Sequence, residues 1–275
     1  MRRLRCQGGG PLSANPTAAG VVAVAPLAPL LASPSVRAEQ VSQLLLGETA
    51  RLLAADGEWR RLRCTLDGYE GWTHRGYLRE LDDAALEAWR PSGWSEGADV
   101  DASGAKVRLP LRARVALEGG VLALPDGRQA RVVSGRVSSL AAAVRDARAL
   151  RPDEWAADRF LGAPYQWGGV TPWGVDCSGL VQTTFAARGL VVPRDAQDQM
   201  GHGGGVPRHD ARPGDLLFFR GEKDDRITHV AFLSSGDTVV HSTISCGGAV
   251  RESWVPGSPA RGRLEHRLVA ARRYE

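Results

Sequence analysis

The sequence lacks the patterns that mark several common classes of protein. Its cysteines form no CxxC pair and no zinc-spaced cluster with histidine, so we expect no metal site and no other cofactor. No apolar stretch approaches the roughly 18 residues of a membrane-spanning helix. No long basic run and no basic patch interleaved with aromatic residues occurs, although the net charge is +4. We therefore expect neither nucleic acid nor a membrane as a partner.

Cysteine is also too sparse for a disulfide-stabilised secreted scaffold. The 275 residues contain 4 cysteines, a count that permits two disulfides, but one of them is better explained as a nucleophile. Met1–Arg5 carries the positive charge of a signal peptide, but glycines follow where its apolar core should begin. We therefore expect a cytoplasmic protein, or a secreted or periplasmic one if translation truly starts elsewhere.

The chain is longer than one hydrophobic core usually holds, and its composition changes along its length. Residues 1–17 are expected to be a disordered or extended N-terminus. Residues 18–82 alternate strand-like runs with turn signals, which predicts a small β-domain. Residues 83–105, rich in alanine, serine, glycine and acidic residues, are expected to be a linker with a short helix. Residues 106–145 predict a second β-domain, and residues 150–275 predict an α+β domain.

A cysteine stands where a helix is predicted to begin. Asp176 is a favourable N-cap, Cys177 follows in the first turn, and apolar residues recur at helical spacing from Leu180. A thiol in this turn faces the positive end of the helix dipole, which favours the reactive thiolate over the thiol. The position therefore predicts a nucleophilic cysteine, and a small buried hydrophobic residue is the alternative.

Two of the 6 histidines lie inside predicted strands, where one of them could serve the cysteine as a base. If Ser234–Gly236 forms a three-residue hairpin loop with its glycine in the left-handed region, His229 falls directly opposite His241 on one face of the sheet. One imidazole could then accept the thiol proton while the other fixes its tautomer. The alternative is that either histidine is a hydrogen-bonded core residue.

Segments of the C-terminal half, taken in order, resemble the catalytic core of the NlpC/P60 cysteine peptidases. They are Pro164-Tyr165-Gln166-Trp167-Gly168-Gly169, Asp176-Cys177-Ser178-Gly179-Leu180-Val181, Pro193-Arg194-Asp195, Pro213-Gly214-Asp215-Leu216, His229-Val230-Ala231 and His241-Ser242. Residues 43–78, with aromatic residues ordered between turn signals, resemble a bacterial SH3-like domain. Residues 106–145 could be a second, degenerate one. Such modules ahead of such a core are similar to the subgroup of γ-D-glutamyl-L-diamino acid endopeptidases.

The resemblance implies an α+β fold. A helix that carries the cysteine would pack on an antiparallel sheet, as in papain, and two small SH3-like β-barrels would precede it. The resemblance also implies Cys177 as the nucleophile, His229 as general base and acid, and His241 as the orienting residue. Tyr165, in the loop before the cysteine, would donate to the oxyanion together with backbone N–H groups at the helix start.

For substrate binding, the resemblance implies a pocket for the L-Ala-γ-D-Glu end of a murein peptide, lined by Trp167, Asp176, Ser178 and Asp195. Asp176 would pair with the free α-ammonium group, unless it is only an N-cap. In the first SH3-like domain, Tyr69 and Glu39 are the candidates that recognise the free amine and close one end of the site. Ala196 departs from the family pattern, in which serine is common, and this calls one polar substrate contact into question.

The expected activity is hydrolysis of the γ-D-glutamyl–L-diamino acid bond of murein peptides that have a free N-terminal L-Ala. It would proceed through a thioester, in a monomer that recycles wall peptides. One alternative is a wall-peptide-binding protein with an idle hydrolase domain, but such a protein should have lost a member of the Cys/His/His set. Another is an acyltransferase on the same core, which no lipid-binding or membrane segment supports. The preferred diamino acid stays open.

Overall fold

A computed structural model describes residues 18–119 and 121–274 of the chain. The expected disordered or extended segment 1–17 lies outside the described residues. The described chain forms two β-rich units followed by an α+β unit, and its helices are few and short. Within the described ranges, no helix is long and apolar enough to cross a bilayer.

The first unit is a seven-stranded antiparallel sheet with the order β3-β2-β6-β5-β4-β1-β7. Its strands are β1 Gly20–Ala23, β2 Leu27–Leu31, β3 Gln40–Leu45, β4 Thr49–Asp56, β5 Trp59–Cys64, β6 Glu70–His74 and β7 Leu78–Leu81. The turn signals act as predicted: Asp56 pairs with Trp59 across a two-residue loop in which Gly57 has a φ of +53°. Helix α1, Asp83–Ala88, follows with Asp82 as its N-cap.

The second unit begins inside the segment that we expected to be a linker, and that expectation is wrong from residue 93 onward. Its strands are β8 Gly93–Ala102, β9 Ala105–Glu118, β10 Val121–Ala123 and β11 Gln129–Ser139, closed into a barrel. The composition of β8 misled us because alanine, glycine and aspartate are poor strand formers. In the barrel, however, Ala98, Val100 and Ala102 alternate inward and fill the small core.

The barrel also ends earlier than residue 145. Helix α2, Leu140–Arg148, takes over at Ser139, whose side chain accepts a hydrogen bond from the backbone N–H of Ala142. Only the small faces of Ala143 and Ala147 are buried on this helix. Residues 140–145 therefore form part of the connection to the third unit.

The third unit is a six-stranded antiparallel sheet, β14-β19-β15-β16-β17-β18, covered by helices. Its elements are α3 Pro152–Phe160, β12 Val170–Thr171, β13 Gly174–Val175, α4 Cys177–Ala187, α5 Ala196–Met200, β14 Gly204–Val206, β15 Leu216–Arg220, β16 Ile227–Ser234, β17 Thr238–Thr243, β18 Gly248–Ser253, α6 Pro259–Leu264 and β19 Leu268–Arg273. Every residue of α4 is buried, so the cysteine helix runs through the core. The predicted cysteine helix and the two histidine strands are all present.

Arg112 of β9 joins the three units. Its φ of +79° is unusual for a residue with a side chain, and the guanidinium is almost completely buried. It makes a 2.8 Å ion pair with Glu48 of the first unit and a 3.1 Å hydrogen bond to Thr183 of α4. Because its two partners belong to the first unit and to α4, this arginine of the second unit holds both β-units against the helix that carries the cysteine.

Candidate active site

The cysteine helix starts as the sequence predicts, with Asp176 as its N-cap. The Asp176 carboxylate accepts a 2.7 Å hydrogen bond from the backbone N–H of Gly179. Gly179 is required here because a Cβ at that position would run into the carbonyl oxygen of Gly169. The start of α4 and the loop that contains Gly169 therefore approach each other closely, which explains the glycine two residues after Cys177.

The Asp176 carboxylate has no capacity left for a substrate ammonium group. It accepts further hydrogen bonds from Gly168 N–H at 2.8 Å, from the Ser178 hydroxyl at 3.2 Å, and from two nitrogens of Arg194 at 2.6 and 3.1 Å. A carboxylate offers about four lone-pair sites. Of the two roles that we considered for Asp176, the structure favours the N-cap, and the expected ammonium pairing is not supported.

Arg194, which we assigned no role from the sequence, is the buried cation that neutralises Asp176. Its side chain is 2% exposed, and it also donates to the hydroxyls of Ser42 and Ser178. Burial alone would lower the pKa of Arg194, but the adjacent Asp176 raises it above its usual range. The guanidinium thus ties the start of the cysteine helix to strand β3 of the first unit.

The thiol of Cys177 is buried, and its ionisation differs from our expectation. Burial, followed by the negative charge of Asp176, raises its pKa to about 12, although the backbone N–H groups of Val230 and Ser178 oppose this rise. The predicted stabilisation of the thiolate by the helix start is therefore outweighed by desolvation. Because Val230 follows His229 directly in β16, the thiol lies against the strand that carries the predicted base.

The two histidines meet as predicted, but through a different register. The loop is Ser235–Asp237, and Ser234 pairs with Thr238, so the predicted direct opposition of the histidines is wrong. Continuing this register by one residue sets His241 opposite Ala231, two residues from His229. Residues two apart share a face, and the diagonal contact brings His229 Nε2 within 2.7 Å of His241 Nδ1.

Burial, followed by the electrostatic effects of the neighbouring His241 and Arg267, holds the pKa of His229 well below its usual value. The resting site therefore pairs a neutral thiol with a neutral imidazole. Among the described residues, the Cys177 thiol forms no hydrogen bond with either histidine, but all three side chains line one cavity. Catalytic contacts of this kind often tighten only when substrate is bound.

Two further residues continue the histidine pair, and the sequence did not reveal them. His241 Nε2 lies 2.9 Å from Oε2 of Glu252, and Nη2 of Arg263 lies 2.8 Å from each Glu252 oxygen. The hydrogen bond from His241 and then that from Arg263 lower the pKa of Glu252 to about 2, so it is a carboxylate. Recognising β18 as the partner of β17 could have found Glu252, since His241 pairs with Val250 two residues earlier.

Cys177 lines two cavities of opposite character. The first, about 650 Å³, is lined by Glu39, Val41 and Tyr69 of the first unit and by residues of the third that include Trp167, Asp176, Ser178, Arg194, Asp195, Ala196, Asp224 and Arg226. The second, about 480 Å³, contains both histidines, Tyr165, Thr228, Glu222 and three basic side chains, Arg263, His266 and Arg267. Because Arg194 neutralises Asp176, the first cavity is left with Glu39, Asp195 and Asp224 against Arg226 and carries a net negative charge. The second has Arg263 and Arg267 against Glu222 and carries a net positive charge.

The predicted binding residues of the two units contact each other at the first cavity. The indole N–H of Trp167 donates to Glu39 at 2.7 Å, and the Tyr69 hydroxyl donates to Asp195 at 3.1 Å. Burial raises the pKa of Asp195, and burial followed by the Asp195 charge raises that of Tyr69. All the predicted site residues therefore lie along one groove through Cys177. The described residues contain no cluster of histidine, cysteine and acidic side chains that could hold a metal ion.

Comparison with known proteins agrees with this architecture. The profile of the NlpC/P60 family matches residues 162–263, and that of the bacterial dipeptidyl-peptidase SH3 domain matches residues 30–75. A solved structure of an NlpC/P60 family protein from Bacillus cereus superposes with a TM-score of 0.76 over 93% of this chain and 99% of that one. Its sequence identity is 18%, so this likeness concerns the fold.

Two curated relatives match nearly three quarters of the chain. A γ-D-glutamyl-L-lysine dipeptidyl-peptidase of Bacillus subtilis is 33% identical over 221 residues, which are 73% of this chain and 71% of that protein. A protein of the same name from Bacillus cereus is 26% identical over 226 residues, or 73% of this chain and 66% of that protein. The chain thus spans about two thirds of the length of these relatives. It belongs to the NlpC/P60 family of cysteine peptidases and carries an N-terminal bacterial SH3 domain.

Proposed function

We propose that this peptidase hydrolyses the γ-D-glutamyl–L-diamino acid bond of murein peptides that have a free N-terminal L-Ala. The observation that carries the proposal is the groove in which Cys177 separates an acidic cavity, walled by the SH3 domain, from a basic cavity that contains the histidine pair. The names of the two curated relatives support the same bond type.

The acidic cavity receives the amino end of the peptide. Within the described residues, Asp195 and Glu39 form no ion pair, and each accepts a hydrogen bond from one neutral donor, the Tyr69 hydroxyl or the Trp167 indole. An α-ammonium group placed between them gains charge-assisted hydrogen bonds in a partly desolvated site. Two residues, L-Ala and γ-linked D-Glu, then separate this ammonium group from the scissile carbonyl.

The chemistry is general-base catalysis by a neutral imidazole. His229 removes the thiol proton as the Cys177 sulfur attacks the carbonyl carbon, so a free thiolate need not accumulate despite the raised pKa of the thiol. Backbone N–H groups at the start of α4, with the Tyr165 hydroxyl, donate to the oxyanion. His229 then protonates the leaving amine, a thioester remains on Cys177, and water activated by His229 releases the dipeptide acid.

The basic cavity receives the leaving diamino acid. The Arg267 side chain is 16% exposed, and its Nε donates to the Arg220 carbonyl at 2.7 Å. Among the described residues, its Nη1 and Nη2 atoms make only long contacts, 3.6 Å to Glu222 and 3.4 Å to Thr228. These nitrogens can turn to a carboxylate of the leaving residue. This argues for short peptides whose diamino acid bears a free carboxylate, and it fits a role in recycling trimmed wall peptides.

The proposal is tested by mass spectrometry of the products from L-Ala-γ-D-Glu-diaminopimelate and its N-acetylated form. Release of L-Ala-γ-D-Glu from the free peptide, with Cys177→Ala inactive yet folded, is expected. The acetylated peptide should be cleaved at least roughly tenfold more slowly, since a charge-assisted contact is lost. Cleavage at another bond, or equal rates for both peptides, would contradict the substrate assignment. An idle hydrolase domain would give no cleavage at all.

A further inference from the structure

The histidine pair does not end at His241. Three side chains on three neighbouring strands, His229 on β16, His241 on β17 and Glu252 on β18, form a continuous chain of contacts of 2.7 and 2.9 Å. His241 is 1% exposed, and its two ring nitrogens face these two neighbours. Arg263 at the end of α6 closes the series with two 2.8 Å contacts to the Glu252 carboxylate.

The ionised Glu252 determines which atom donates at each step of this series of hydrogen bonds. A carboxylate can only accept hydrogen bonds, and a guanidinium can only donate them. Glu252, held ionised by its donors, therefore requires a proton on Nε2 of His241. In a neutral imidazole the other nitrogen, Nδ1 of His241, is then an acceptor. It must take its hydrogen bond from Nε2–H of His229, which leaves Nδ1 of His229 without a proton.

This placement matters because Nδ1 is the one nitrogen of His229 that His241 does not occupy. Only an unprotonated Nδ1 can accept the proton of the Cys177 thiol, whereas in the opposite tautomer Nδ1 already carries a proton and cannot act as the base. We propose that Glu252, clamped by Arg263, is a positioning residue that fixes the reactive tautomer of His229 through His241. The inference rests on the proposed peptidase chemistry, but its structural part can be measured without any substrate.

Two variants of Glu252 separate the acceptor from the charge. Glu252→Met removes both and should lower kcat roughly ten- to hundredfold, the range measured for residues that orient a metal-bound imidazole, with little change in KM. Glu252→Gln keeps the volume and one acceptor oxygen and should retain more activity than Glu252→Met. A matched control is Glu265→Met, which removes the carboxylate of the neighbouring Arg261–Glu265 pair and should leave kcat unchanged.

If Glu252 had a purely structural role, its replacement would not change which imidazole nitrogens are protonated. Their protonation is measured by NMR of ¹⁵N-histidine-labelled protein without substrate. With 6 histidines in the chain, the His229 and His241 signals can be assigned by substitution. The native protein should show Nδ1 of His229 unprotonated, and Glu252→Met should show both tautomers.

An unchanged tautomer or an unchanged kcat in folded Glu252→Met would overturn the inference. If Glu252→Met does not fold, the same NMR and kinetic comparison is made on Glu252→Ala, which also removes the acceptor, and an unchanged tautomer population or an unchanged kcat there overturns the inference. The tautomer is observed without peptide, so this test of the inference does not depend on the substrate assignment. A wrong substrate assignment would instead appear as no cleavage of the peptide by the native enzyme.

Discussion

Replacing Asp176 by asparagine tests whether its carboxylate is structural. Asparagine is as good an N-cap as aspartate, so the hydrogen bond from Gly179 can be kept. What is lost is the charge that neutralises Arg194 in an ion pair whose side chains are 2% and 8% exposed. Leaving a buried charge without its partner costs about 3–5 kcal/mol. We therefore expect Asp176→Asn to lower the free energy of unfolding by about that amount.

The measurement is chemical denaturation followed by tryptophan fluorescence, with two comparison variants. The double variant Asp176→Asn/Arg194→Met should regain part of the lost stability, because it removes the uncompensated charge. Asp83→Asn, which breaks the exposed pair with Arg51, should leave the unfolding free energy nearly unchanged. The reasoning is refuted if Asp176→Asn is as stable as the native protein and instead raises KM for peptides with a free amine.

Three further outcomes follow from the site and the domain junction. The acid limb of the pH profile of kcat/KM should lie below pH 6.5, because burial and the electrostatic effects of His241 and Arg267 lower the pKa of His229, which then stays a neutral base as the pH falls. A limb above pH 6.5 would contradict this. Arg267→Gln should reduce kcat/KM more for a peptide ending in diaminopimelate with free carboxylates than for the same peptide with these carboxylates amidated, measured by product release, and equal losses would remove the carboxylate role. Arg112→Met, which leaves Glu48 buried without its cation, should destabilise the chain by about 3 kcal/mol or more in denaturation, and a negligible change would contradict its joining role.

The chemistry-bearing residues were accessible from the sequence because local rules position them. An N-cap, a helical apolar repeat and two strand patterns are short-range signals, and they correctly placed Cys177 at a helix start and both histidines on one sheet face. The exact pairing was missed because the hairpin loop shifted by one residue. The shift moved the pairing by two positions, so the two histidine side chains stayed on the same face of the sheet, as predicted.

The hydrogen-bond partners of those residues are brought together by long-range packing, so they could not be predicted from the sequence. Asp176 is saturated by Arg194, which lies 18 positions away in the chain, and Glu252 belongs to a strand with no clear alternation. The raised pKa of Cys177 likewise results from burial by other elements, which a helix-dipole argument cannot see. We predicted the start of the second barrel too late, because its inward-facing alanines favour a strand only when they fill a small closed core.

The central claim is that Cys177 carries the dipeptidyl group during the reaction. It is tested most directly by acid quenching the enzyme during turnover of L-Ala-γ-D-Glu-diaminopimelate and locating the adduct by peptide mass spectrometry. We expect L-Ala-γ-D-Glu attached to the peptide that contains Cys177, with none in Cys177→Ala. Turnover by Cys177→Ala, or an adduct on another residue, would contradict the account.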